Sequence, residues 1–253
     1  PDHEEANRFL EETFRKSGRW NDLISLLTRR SEFAFESGAF DFFAKLSREI
    51  ASLWIEKFSN YGQAAHHLAG VLDVHPDDRE SVELLIEVAE QRHDWQTLFD
   101  ALSKKVELEA AELKVEPLIR MAEIAVKHLD LVDDAIELWR WISEYRPEQA
   151  YASLLLLFER HDRWHDVVDL HLENLVDLRG QERVKLLKQL TPILSQKLGD
   201  DERAEEALHD ILNTDPNDVF AEAQLREIYS VQRNWDALEN LYGERERWHA
   251  LLS

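Results

Sequence analysis

The sequence predicts an all-α solenoid of stacked antiparallel helix hairpins, and three observations predict it. A Trp recurs four times, as Trp20, Trp95, Trp164 and Trp235, at intervals of 75, 69 and 71 residues. Each Trp follows a Pro, in turn Pro1, Pro76, Pro147 and Pro216, at distances of 19, 19, 17 and 19 residues. Between these markers the apolar residues recur at three- and four-residue steps, the period of one helix face. Two independent markers that keep step four times define an internal repeat of about 72 residues.

The elements follow from that register. Trp20, Leu23, Leu26 and Leu27 share a helix face, as do Trp164, Val167, Val168, His171 and Leu172. Leu84, Leu85, Val88 and Ala89 do the same ahead of Trp95. Each unit reads as four helices, which in the second unit span residues 78–91, 95–110, 115–129 and 132–145. Asp77, Asp94, Asp130 and Asn234 are suited to N-caps, where a short polar side chain accepts a hydrogen bond from an orphan helix N–H. The marker prolines follow helices that they cannot continue. No stretch alternates with a period of two between turn residues, so no sheet is expected. Four helices in about 72 residues leave only short loops, which force neighbours to run antiparallel. One hairpin cannot bury both of its faces, so hairpins must stack.

A second pattern precedes each Pro. Ala64, Leu68, Val71 and Pro76 match Ala135, Trp139, Ile142 and Pro147, and again Ala204, Leu208, Ile211 and Pro216. The small Ala admits a close helix neighbour, and the larger residues fill the space between hairpins. In this spacing the chain resembles the tetratricopeptide repeat family, whose second helix carries a small residue, a large residue and a closing Pro at those positions. The resemblance covers nearly all of the 253 residues. It implies a right-handed superhelix of about seven hairpins, forming a single continuous domain over 1–253, and it implies protein interaction rather than chemistry. The family's first-helix Trp, Leu-Gly and Tyr positions are not recognisable. The interval from Ile50 to Ala64 is 14, whereas Ile124 to Ala135 and Ile193 to Ala204 are both 11. Some family members clamp a peptide carboxylate with Lys, Asn and Arg. The nearest counterparts, Arg120 and Lys127, are not repeated with an Asn, so no clamp is assigned.

The recurring Trp is expected to be largely buried at each hairpin junction, packed into the next hairpin; the alternative is an exposed aromatic ladder along one edge. The chain starts at the Pro that elsewhere sits mid-repeat, and residues 242–248 are unlike the region after Trp95. Both features are expected of a segment of a longer chain.

Composition narrows the function. Of the 253 residues 44% are hydrophobic, too many for a disordered chain even at a net charge of −22. There is no Cys, which excludes disulfides, thiolate metal sites and Cys nucleophiles. With 52 acidic residues against 30 basic ones, nucleic acid and anionic membrane surfaces are disfavoured, and a basic protein or peptide is attracted. No stretch approaches the roughly 20 apolar residues that span a bilayer. The compartment stays open, because a chain without Cys suits either redox environment.

Candidate chemistry was sought among the titratable residues. His161 and His165 lie four apart, but Trp164 marks a turn between them, and the adjacent His66 and His67 are expected to point different ways. Asp133, Asp134, Asp200 and Asp201 fit helix N-termini better than an acid–base pair. Lys105 and Glu109, in the mixed run from Lys104, are spaced to meet on one face. No nucleophile elbow or glycine-rich phosphate loop occurs. No catalytic, cofactor-binding or metal residue is therefore assigned, and partner-binding residues are left open. The expected function is a non-catalytic protein–protein interaction scaffold that binds a protein or peptide, a basic one being favoured. The alternative is a regulatory or sensory module of a larger enzyme or membrane-associated protein.

Overall fold

A computed structural model describes residues 4–243, the side chains as far as Leu241. Fourteen α-helices and no strand occur among the described residues. In chain order they are α1 (Glu4–Ser17), α2 (Trp20–Glu36), α3 (Phe40–Phe58), α4 (Tyr61–Val74), α5 (Arg79–Arg92), α6 (Trp95–Leu108), α7 (Val115–Ile124) and α8 (Val132–Ile142). Then follow α9 (Pro147–Arg160), α10 (Trp164–Leu175), α11 (Gly180–Pro192), α12 (Asp201–Thr214), α13 (Val219–Gln232) and α14 (Trp235–Gly243). Seven pairs were expected, and the second repeat's four helices lie within a few residues of their predicted bounds. Pro1 and residues 244–248, which carried part of the repeat argument, lie outside the described residues.

The contacts gather into two compact units, divided between Ala150 and Tyr151. In the first, each helix from α1 to α8 packs on the next. Its first core cluster joins Leu23, Ile24 and Leu27 of α2 to Leu46, Ile50 and Leu53 of α3, with Phe14 and Trp54 against it. In the second unit α10 to α14 pack in the same succession. One cluster runs from Val168 through Leu190, Leu208 and Leu225 to Leu241.

The predicted small–large column is core throughout. Ala64, Leu68, Val71, Ala135, Ile142, Ala204, Leu208 and Ile211 are all 0% exposed, and Trp139 is 5% exposed. The irregular Ile interval disappears when the turns are aligned. The equivalent of Ile124 and Ile193 is Leu53, which lies 11 residues before Ala64 like the others.

One turn closes all seven hairpins. An odd-numbered helix ends, a single residue takes positive φ, and the even-numbered helix starts one or two residues later. These residues are Gly18, Ser59, His93, Asp130, Asp162, Gly199 and Arg233, with φ between 49° and 68°. The left-handed residue lets the following amides reach back to the last carbonyls, as Asn60 N–H does to Trp54 and Asp200 N–H does to Leu194. Asp130, expected as an N-cap, is this left-handed C-cap, and the N-cap of α8 is Leu131. Asp77 is likewise displaced as a cap by Asp78, whose carboxylate accepts from Ser81 N–H. Asp94 and Asn234 cap as expected, accepting from the amides of Thr97 and Ala237.

Two odd-numbered helices finish in a π-helical turn, at Ala125–Leu129 after α7 and Ile193–Leu198 after α11. Pro192 immediately precedes the second, and its missing N–H removes an α-type bond there. Pro76 and Pro216 follow the C-caps of α4 and α12, whereas Pro147 is the first residue of α9, where no N–H is needed.

Candidate functional site

The largest groove lies in the first unit, about 660 Å³, between α5 and α7 with α6 behind. Its walls come from repeated spacing. Glu83, Glu87 and Glu90 on α5, and Glu116, Arg120 and Glu123 on α7, each advance by four and then three residues, which aligns them along one helix face. Leu84, Ile86, Leu102, Pro117 and Ile119 supply an apolar floor. Five carboxylates against two cations, Lys105 and Arg120, line the groove and leave it net negative.

The cations are engaged. Lys105 pairs with Glu83 at 2.6 Å, and Arg120 with Glu90. Lys127 pairs with Glu123 at 2.8 Å. Arg120 and Lys127, the nearest candidates for a carboxylate clamp, are thus both held by glutamates. Glu87 projects from the middle of the acidic stripe, exposed to solvent. The groove is therefore an apolar trough with an acidic wall, suited to an amphipathic segment with basic residues.

The expected pair of Lys105 with Glu109 is not made. Helix α6 stops at Leu108, so Glu109 leaves the helical path and pairs with Arg79 at 3.7 Å. Lys104 and Glu107 do pair, at 2.9 Å. Both pairings of Glu83 and Glu109 tie α6 to its hairpin partner α5.

The histidines behave in three ways. His161 lies beyond α9 and His165 within α10, so a turn separates them as expected. No group of three or more His, Asp or Glu suited to a metal ion occurs among the described residues. His66 and His67 were expected to diverge, but their rings meet edge to face at 5.7 Å. Burial and then the neighbouring His66 lower the pKa of His67. His171 is 2% exposed in the second unit and shares a 2.7 Å hydrogen bond with the Tyr151 hydroxyl. Burial pushes its pKa down, favouring the neutral ring. Burial also raises the pKa of Tyr229, helped by Glu205, which accepts from the Tyr229 hydroxyl at 2.7 Å. These groups are held in one protonation state inside a helix stack, with no groove of comparable size beside them.

The acidic pairs sit at helix starts. Asp200 caps α12, accepting from Arg203 N–H, and Asp201 follows in the first turn. Asp133 and Asp134 occupy the first turn of α8. A further pairing was not foreseen. Arg48 of α3 holds the N-cap Asp78 at 2.9 Å, and 140 residues on Lys188 of α11 holds the N-cap Asp218. Burial opposes ionisation of Asp218, but the Lys188 hydrogen bond and the amides of Ala221 and Phe220 outweigh it and lower the pKa.

The four marker Trp residues do occupy one register, each the first residue of a helix: α2, α6, α10 and α14. They are not largely buried. Trp20, Trp95 and Trp164 are half-buried, and Trp235 is 66% exposed. At the first helical position the ring leaves from the edge of the hairpin, so only one face meets protein. On three of them that face carries a basic group. Lys57 Nζ lies 4.9 Å from the Trp20 ring centre, and Lys197 Nζ lies 4.5 Å from that of Trp164. His128 stacks on Trp95 at 3.8 Å with 9° between the planes.

No family model matches the chain, and a search of curated proteins returns no match. Among solved structures it is similar to a MamA protein at 9% identity and a TM-score of 0.37, covering 84% of this chain and 91% of that one. A tetratricopeptide repeat protein from Parabacteroides merdae is 10% identical, with a TM-score of 0.39 and coverage of 96% and 91%. MamA from Desulfovibrio magneticus is 17% identical, with a TM-score of 0.35 and coverage of 70% and 97%. These are similarities of one helical repeat to another. No helix among the described residues is long and apolar enough to cross a membrane.

Proposed function

We propose that the chain is a non-catalytic interaction scaffold, and that the α5–α7 groove receives a basic amphipathic segment of a partner protein. The observation that carries this reading is the groove itself, with apolar residues along its floor and five carboxylates against two cations around them. Apolar anchors supply most of the affinity in such a contact, and the acidic wall supplies orientation and a faster encounter. The whole-chain charge of −22 acts in the same direction at longer range. The repeat register passes through the division at Ala150 without a break in the marker spacing, and we treat 1–253 as one functional repeat domain.

The test is binding of a labelled cationic amphipathic peptide, with a charge-reversed peptide as control. The cationic peptide should bind, and the double variant Glu87→Lys, Glu123→Lys should weaken it about tenfold or more. The association rate should fall as salt rises, because the screening length shortens from about 10 Å at 0.1 M to about 3 Å at 1 M. Equal binding of both peptides, or indifference to the double variant, would remove the groove from consideration.

A further inference from the structure

The half-buried Trp rings share more than a register. Each lies under a basic residue on the odd-numbered helix that follows it, and that residue always holds the same place. Lys57, His128 and Lys197 each stand two residues before the left-handed turn residue, which is Ser59, Asp130 and Gly199 in turn. Trp235 begins the last described helix, and among the described residues no basic group or ring lies over it. It is a ring without its cation.

The other end of the chain holds a cation without its ring. Lys16 stands two residues before Gly18, the left-handed residue that ends α1. Its side chain is 80% exposed, and its ion-pair contact is Glu12 of the same helix at 3.6 Å. The same helix carries an open apolar face. Ala6, Phe9, Leu10 and Thr13 fall on one stripe, and Phe9 is 70% exposed. The equivalent residues of α5, counted from Trp95 as these are from Trp20, are Ser81, Leu84, Leu85 and Val88. Ser81, Leu85 and Val88 are buried on a helix that packs against the even-numbered α4. So α1 leaves open a face that its counterpart covers with an even-numbered helix, and α14 is an even-numbered helix with an open ring.

We propose that a second copy of this chain docks end to end on the first, its α1 covering the open face of α14 and its Lys16 resting on the Trp235 ring. The contact repeats an interface already present three times within the chain, with an odd-numbered helix following a Trp-bearing one. Asp236 and Glu239, exposed on α14, complement the Arg15 and Lys16 that end α1. Such a contact joins two different surfaces, so it propagates into a ring or an open row rather than stopping at a symmetric dimer. Each copy carries a charge of −22, so the copies repel at low salt. Self-association should therefore strengthen as salt rises, the opposite of the salt dependence expected for a basic partner. The two readings can fail separately.

The experiment is sedimentation velocity on the full 253-residue chain from about 1 μM to about 300 μM, a range that reveals weak association, at about 0.15 M and 0.5 M salt. Species heavier than 29.7 kDa should appear with concentration, and more readily at the higher salt. Phe9→Glu disables one end and Trp235→Ala the other. Both residues are exposed, at 70% and 66%, and circular dichroism should show both variants folded. Each variant alone should associate at least tenfold more weakly. Mixed in equal amounts, the two should form a dimer and nothing larger, since each keeps the end that the other lacks. Lys16→Glu should behave like Phe9→Glu. A monomer at every concentration and salt, an assembly that survives both substitutions, or a mixture no heavier than its parts would overturn the proposal.

Discussion

Trp95 and Trp235 begin equivalent helices two repeats apart, yet one ring is half-buried beneath His128 and the other is 66% exposed. The difference lies in the neighbours, since the two helices start in the same register from their prolines. The α7 segment supplies the cover for Trp95, and no described helix stands in that place beside Trp235. A repeat position therefore has no fixed burial; the next hairpin confers it. Trp139 makes the contrast sharper. It sits in the middle of α8, between hairpins, and is 5% exposed.

The largest expected effect tests whether burial, and not residue type, decides what a Trp contributes. Trp139→Ala should destabilise the first unit by about 3–5 kcal/mol, the cost of emptying a large core site. Trp235→Ala should stay within about 0.5 kcal/mol, as at other exposed positions. Chemical denaturation of the two variants checks this. Similar costs would erase the distinction between the rings.

Trp95 should fall between them. Its ring is half-covered, so Trp95→Ala gives up part of its apolar burial together with the His128 stack. The expected loss is about 1–2 kcal/mol. A cost near that of Trp139→Ala would mean that the ring behaves as core after all.

The third effect compares the units through one core position. Leu27, Leu102 and His171 are equivalent, seven residues after Trp20, Trp95 and Trp164, and each is at most 2% exposed. Only the second unit places a titratable group there. Its folded pKa is lowered by burial, so the unfolded chain binds the proton more readily. His171 therefore contributes fully above its unfolded pKa of about 6.5, and that contribution is lost as pH falls below it. The melting temperature should drop between about pH 7.5 and pH 5.5, and His171→Leu should flatten that drop. The same substitution leaves the Tyr151 hydroxyl without its His partner, so the variant should be less stable at neutral pH. An unchanged pH profile would show that His171 is not the group responsible.

Much of the architecture was legible in the residues themselves. Ala64, Leu68 and Val71 and their two later copies announce a close-packed helix face, because small and large residues at those steps serve little else. The seven left-handed turns were not legible, because five of them use Ser59, His93, Asp130, Asp162 and Arg233 instead of Gly. Asp130 was expected as an N-cap because its side chain suits both roles; the helix start one residue further on decides. Trp burial was misjudged for a similar reason. Helical spacing shows which face a ring occupies, but not that it leaves from the first turn. The groove was half legible. Glu83, Glu87 and Glu90 share spacing with Glu116, Arg120 and Glu123, but only the packing of α5 beside α7 turns two stripes into one wall.

The smallest expected effect separates the cations. Lys57 and Lys197 sit over rings at 4.9 Å and 4.5 Å, where the negative face of the indole attracts them. Replacing either by Gln keeps most of the aliphatic contact and removes the charge, so each should cost about 0.5–1 kcal/mol. Lys16 has the same place before its turn but no ring in its own copy. In dilute protein, Lys16→Gln should leave the denaturation midpoint unchanged. The double variants Lys57→Gln, Trp20→Ala and Lys197→Gln, Trp164→Ala complete two cycles, which isolate the coupling from the general loss of each side chain. A coupling of about 0.5 kcal/mol or more in both cycles, with none for Lys16 and Trp235 in dilute solution, fits an attraction made within the chain at interior repeats alone. Coupling absent from all three would mean that the basic residue only shields the ring, and Gln would then serve as well as Lys.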